Sequence, residues 1–131
     1  MQDTERAGTG VGKVDEILGS LRIGDNVIWH DDSGSLAGEF CQKFMEASFA
    51  DGKPIVYVSF DRSPNNLLKK LGTLADAPGL VVLDCFTRGK GGGDPLFLKY
   101  YNRPEKSSKV RLVENPQDPS SMGEADRKSV V

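Results

Sequence analysis

The chain has 131 residues, enough for one domain with a modest core, and its 17 Lys and Arg against 19 Asp and Glu leave a formal net charge of −2. So balanced a composition gives no global field to draw it to nucleic acid or a membrane, and partner choice has to be local. No apolar run is long enough to span a bilayer, and the polar amino terminus has no signal-peptide pattern, so the sequence points to the cytosol. Cys41 and Cys85 have no metal-ligand spacing and there is one His in the chain, which favours reduced thiols over a disulfide or a zinc site.

Residues 1–12 read as a flexible amino-terminal segment. Within it Gly8-Thr9-Gly10-Val11-Gly12-Lys13-Val14 has the look of a phosphate-binding loop. However, Val14 stands where Ser or Thr would be needed, Ala7 takes the first Gly position and no strand precedes it, so a lead-in turn is expected. Val14 to Leu18 has apolar residues at the helical interval, with Gly19 to end the helix. Asn26-Val27-Ile28-Trp29 is an apolar run that predicts a first strand, His30 to Ser35 a loop, and from Leu36 the pattern turns helical. On that helix Ala37, Phe40, Cys41, Phe44 and Met45 share one face. Asp51-Gly52-Lys53-Pro54 stops it, and Ile55 to Phe60 is the next strand. Strand, helix and strand predict a βαβ unit with a parallel pair.

In a parallel sheet the loops at the carboxyl ends of the strands overlie one crevice, where ligands bind. Set against G-x-x-x-x-G-K-[ST], the loop around Asp32, Ser33, Gly34 and Ser35 has Asp31 at the first Gly, Leu36 at the second, Ala37 at the Lys and Gly38 at the hydroxyl position. Each position the chemistry needs is changed. Asp31 and Asp32 would repel a triphosphate, at roughly 1 kcal/mol per unit-charge pair about 4 Å apart in water and several-fold more near protein. The alternative role for Asp32 or Ser33 is to cap the helix.

Ser63-Pro64 opens a further helix carrying Leu67, Leu68 and Leu71, ended by Gly72. After a linker, Leu80 to Phe86 is apolar enough for a central strand. Asp84 at its end is a candidate magnesium ligand, against the ordinary role of a turn or cap carboxylate. Thr87 to Asp94 is glycine-rich, and with Arg88 and Lys90 it is a candidate anion-binding loop, the other reading being a surface loop without a ligand. Asp94-Pro95 starts a helix with Leu96, Phe97, Leu98, Tyr100 and Tyr101, and Val110 to Val113 alternates as a fourth strand. Residues 115–131, rich in Pro, Ser and charge, read as a disordered tail.

Lys13-Val14-Asp15-Glu16-Ile17-Leu18-Gly19, Leu21-Arg22-Ile23-Gly24-Asp25, Val27-Ile28-Trp29 and Ser59-Phe60-Asp61-Arg62-Ser63-Pro64 together resemble the opening half of KaiC-type RecA-like ATPase domains. The resemblance implies a three-layer α/β domain over residues 13–114, with a small, mainly parallel sheet, helices on both faces and an incomplete carboxyl-terminal side. It also implies lost chemistry. Asp61 stands where the family's water-activating Glu would be, Arg62 replaces a second carboxylate, and Ala37 cannot supply the cation that stabilises a transferring phosphoryl group.

The expected function is therefore a non-catalytic binding or regulatory module, with no cofactor, no catalytic residue beyond Asp61 as a candidate, and a protein partner or second copy as its ligand. The rival is a nucleotide-binding ATPase-like protein in which Lys90 or Arg88 replaces the missing lysine, Asp61 acts as base, and ATP and magnesium are bound.

Overall fold

The computed structural model describes residues 6–30, 36–104 and 107–128. The chain divides into two compact units, Met1–Ile55 and Val56–Val131. Asp31, Asp32, Ser33, Gly34 and Ser35, the centre of the degenerate loop, lie outside the described residues.

In the first unit, β1 (Arg6–Ala7) and β2 (Leu21–Arg22) form a two-residue antiparallel ribbon with Arg6 opposite Arg22 and Ala7 opposite Leu21. Between them runs α1 (Gly12–Leu18), whose end is set by Gly19 in the left-handed region at φ 71°, its N–H donating to the Asp15 carbonyl. The expectation of a loose amino terminus up to residue 12 therefore does not hold from Arg6 onward. Thr9 is buried, and its amide and hydroxyl both donate to Asp15 Oδ1, at 2.8 and 2.7 Å. This clasp holds the glycine-rich turn as the lead-in to α1. At Gly10 the turn passes so close to the next helix, α2 (Ala37–Ala50), that a Cβ would lie 2.1 Å from the Lys43 carbonyl oxygen. Only glycine fits there.

The strand expected at Asn26–Trp29 is absent, and these residues have no regular structure. A strand is held by its ladder, and among the described residues no strand pairs with this run. Ile28 is 91 % exposed. The first limb of the predicted βαβ unit is thus missing. Trp29 instead stacks on Phe40 of α2, ring centroids 4.7 Å apart and planes within 4°. On α2 the apolar face is covered in part: Met45 is buried, Phe40 and Cys41 are half-buried, and Ala37 and Phe44 are exposed.

The second unit is built on a three-stranded parallel sheet, order β3 (Ile55–Ser59), β4 (Leu80–Asp84), β5 (Val110–Leu112). Parallel neighbours need a crossover. Between β3 and β4 it is α3 (Pro64–Leu71) with a 3-10 turn at Gly72–Asp76. Between β4 and β5 it is α4 (Pro95–Leu98) with a 3-10 turn at Lys99–Asn102. Ser63 caps α3 by accepting the Asn66 N–H, Pro64 takes the first helical position, and Leu67 and Leu71, four residues apart, are buried on one face. Asp94 caps α4 through the Leu96 N–H at 2.8 Å. β4 is central, with Val82 opposite Val110 and Asp84 opposite Leu112, and its Leu80, Val82 and Leu83 are buried.

Residues 115–131 are not a disordered tail throughout. Pro119–Lys128 form α5, which packs on β4 and β5. Ala125 joins Leu83, Cys85 and Val113 in a buried cluster, with Met122 and Val81 against it. Composition hid this helix because two apolar residues at a three-residue step, Met122 and Ala125, suffice to seat it. Its start is marked by Asp118, whose carboxylate accepts the Ser120 N–H at 3.0 Å ahead of Pro119. The architecture is α/β with a small parallel sheet and a separate antiparallel ribbon.

Candidate functional site

At the carboxyl ends of β3, β4 and β5 three loops carry the chemistry-bearing residues of the second unit: Asp61 after β3, Asp84 to Asp94 after β4, and Glu114 after β5.

Asp84 anchors the middle loop. It is 1 % exposed, and each of its oxygens has two donors. Oδ1 accepts the N–H groups of Phe86 and Thr87 at 2.9 and 3.0 Å, while Oδ2 accepts the hydroxyls of Thr87 and Tyr101, both at 2.5 Å. A carboxylate offers about four lone-pair sites, so this one is saturated from within the chain. The candidate magnesium ligand thus does the work of a turn-forming aspartate, the other role its position allows. Its surroundings respond to it. Burial, and then the hydrogen bond to Asp84, raise the Tyr101 phenol above its usual range. Burial, and then the neighbouring Asp84 charge, raise the Cys85 thiol. Neither Cys85 nor Cys41 is in a disulfide.

The glycine-rich segment after this anchor is a series of closed turns. The amides of Gly89 and Gly91 donate to the Phe86 carbonyl at 3.1 and 2.7 Å, Gly92 to Gly89, Gly93 to Thr87 and Asp94 to Gly91. An anion nest needs successive N–H groups turned outward, and here five of them are engaged with the loop's own carbonyls. The glycines serve close packing. A Cβ on Gly89 would lie 2.5 Å from the Cys85 carbonyl oxygen, and one on Gly91 would meet the Phe86 carbonyl and the rings of Phe86 and Phe97 at 3.0 to 3.1 Å. Those two rings meet edge to face at 4.9 Å.

Both cations of the loop face acids from the neighbouring loops. Lys90 Nζ lies 3.5 Å from Asp61 Oδ1, and Arg88 Nε lies 3.4 Å from Glu114 Oε2. The Lys90 pair is open to solvent on both sides, and Arg88 is the more sheltered member of the second pair. The structure therefore brings Asp61, Arg88 and Lys90 into one set of loops, as the sequence suggested, but engages each cation with a carboxylate. His30 belongs to the first unit, and Asp32 to Ser35 lie outside the described residues. Among the described residues no three His, Cys, Asp or Glu side chains are grouped to hold a metal ion.

Thr87, Tyr101 and Glu114 are contributors that sequence reasoning passed over. Asp84-Cys85-Phe86-Thr87, with a hydroxyl three residues after an aspartate, is a local turn signature that could have exposed Thr87. Tyr101 is 17 residues from Asp84, beyond the reach of any local pattern.

Each unit also has a cavity among its described residues. In the first unit a mainly apolar pocket of about 420 Å³ is lined by Trp29, Phe44, Ile23, Val27 and Cys41, with Arg22 and Asp25 among its polar members. In the second, a pocket of about 220 Å³ lies between the start of α3 and the α4 segment, bounded by Asn66, Phe97, Tyr100 and Arg103. No protein-family model, curated protein or solved structure matches the chain.

Proposed function

We propose that the chain is a non-catalytic RecA/KaiC-like binding or regulatory module that has lost ATP hydrolysis and acts through a protein partner. The observation that carries this reading is the pairing of both glycine-loop cations, Lys90 with Asp61 and Arg88 with Glu114. A triphosphate would have to displace two carboxylates to reach them. It would also find the amides of Gly89 and Gly91 to Asp94 engaged elsewhere. The sequence adds Ala37 in place of the phosphate-loop lysine, at the first residue of α2. No described helix is long and apolar enough to cross a membrane, and a cytosolic setting goes with two cysteines outside any disulfide.

A thermal-shift titration with Mg-ATP tests the reading. A ligand that binds the folded state at about 100 times its Kd stabilises it by about 2.7 kcal/mol, which a melting curve resolves easily. The expected result is an unchanged melting temperature up to millimolar nucleotide. A saturable rise would overturn the proposal in favour of a nucleotide-binding protein.

A further inference from the structure

The pocket of the first unit is framed by a turn and a helix. The Asp25 amide donates to the Arg22 carbonyl at 3.1 Å and the Arg22 amide to Asp25 Oδ2 at 2.9 Å, which closes the turn after β2. Ile23 in that turn, Val27 and Trp29 beyond it, and Cys41 and Phe44 of α2 line a cavity of about 420 Å³, a volume usual for small-molecule sites. Two of its residues fix the chemistry of an occupant. The first is Trp29. Phe40 covers one face of its ring, with the planes within 4°, and is not among the lining residues, so the indole meets the cavity with its other face and its edge. A planar ring laid there continues the stack. The second is Arg22, the one cation among the described lining residues. Thr9 gives its hydroxyl to Asp15 Oδ1 at 2.7 Å and Asp25 turns Oδ2 back to the Arg22 amide, whereas the Arg22 guanidinium has no hydrogen bond or ion pair among the described residues. Across the ribbon Arg22 faces Arg6 rather than an acid. Like charges set opposite one another are unfavourable, and an anion beside Arg22 offsets that cost.

We infer that this pocket binds a small planar aromatic molecule carrying one negative charge, its rings against Trp29 and Phe44 and its carboxylate or sulfonate on Arg22. A guanidinium offers such a group two parallel N–H donors. A cation would meet Arg22 with like charge, and a neutral hydrocarbon would leave it unanswered. A sugar would bury hydroxyls against Val27, Trp29 and Phe44, where no partner meets them. This site goes beyond the loss of phosphoryl chemistry. All its lining residues belong to the first unit, so it stands however the glycine-rich loop of the second unit treats nucleotide.

Titration of the full chain with anilinonaphthalene sulfonate, an aromatic monoanion, is the test. Trp29 is the only tryptophan of the chain, so energy transfer from its indole to the bound dye reports a ligand at this pocket. The dye binds saturably and in equimolar amount, quenching Trp29 as its own emission rises. Arg22→Gln weakens it about tenfold, while phenylnaphthylamine, which has the same rings and no charge, binds Arg22→Gln and wild type alike. Val27→Asp, shown to be folded by circular dichroism, abolishes dye binding by placing a carboxylate in the apolar lining. Phe60→Ser, which removes an exposed apolar side chain of the second unit, leaves it unchanged. If Val27→Asp does not fold, Arg22→Gln and the neutral dye decide alone. Dye binding that does not saturate or draws no energy from Trp29, an Arg22→Gln variant as tight as wild type, or a loss on Phe60→Ser would overturn the inference.

Discussion

The Tyr101 hydroxyl donates a 2.5 Å hydrogen bond to Asp84 Oδ2 across 17 residues of chain, tying the 3-10 turn after α4 to the end of the central strand. The bond satisfies a buried carboxylate, and losing one donor to such a group costs more than losing an ordinary hydrogen bond. Tyr101→Phe removes only the hydroxyl and should lower stability by about 1.5 to 3 kcal/mol. Urea unfolding with an unchanged slope would show the loss; an unshifted midpoint would mean that the bond is unimportant.

The same pair sets a pH dependence. Tyr101 and Cys85 both have raised pKa values in the folded chain, from ordinary values of 10.0 and 9.0. In alkaline solution the unfolded chain therefore loses these protons first, the folded chain holds more of them, and stability falls as pH rises. The contribution is complete below about pH 9 and is lost progressively from there upward, first through Cys85 and then through Tyr101. Melting temperatures between neutral and strongly alkaline pH should trace this decline, and Tyr101→Phe should flatten its upper part.

Close packing at the glycine-rich loop gives a third expectation. Gly89→Ala drives a methyl group to within 2.5 Å of the Cys85 carbonyl oxygen, and overpacking against backbone costs about 1 to 3 kcal/mol. Gly12→Ala, which meets nothing within 4 Å at the start of α1, should change stability by less than about 1 kcal/mol. Equal effects from the two substitutions would show that the loop is not held by contact.

The ion pairs should behave differently from the carboxylate anchor. Lys90 and Asp61 are both largely exposed, and exposed pairs contribute about 0 to 1 kcal/mol. Lys90→Ala should barely move the melting temperature and should leave the chain as insensitive to Mg-ATP as before. If wild type did respond to nucleotide and Lys90→Ala abolished the response, Lys90 would be the substitute lysine of the rival reading.

At the carboxyl-terminal helix, Ala125 is buried against Leu83, Cys85 and Val113. Ala125→Asp places an unpaired charge there and should cost about 3 kcal/mol or more. Retained cooperative melting at the wild-type temperature would mean that α5 does not seal the sheet.

How far the fold was readable follows from the range of the signals. β3, β4, β5 and α3 announced themselves through short apolar runs and through Ser63, Pro64 and Gly72, all acting within a turn or two. Asn26 to Trp29 carried the same apolar signal, yet a strand needs a partner that composition cannot supply, and Trp29 packs on Phe40 instead. α5 was hidden for the opposite reason, since its polar sequence is seated by Met122 and Ala125 on a surface that forms only once β4 and β5 have paired. At the site, Asp61, Arg88 and Lys90 were legible as loop residues at strand ends. Their mutual neutralisation, and the hold of Tyr101 on Asp84, depend on distances that no local spacing encodes.

The close approach of Gly10 to the Lys43 carbonyl, at a backbone φ of +88°, makes the amino-terminal turn a fitted key rather than a loose leader. Any side chain at this point would lever the turn away from α2 and loosen the Thr9 and Asp15 clasp with it. Engineering of this end, by tagging, trimming or grafting, should keep its changes upstream of Arg6 if the small ribbon is to stay seated.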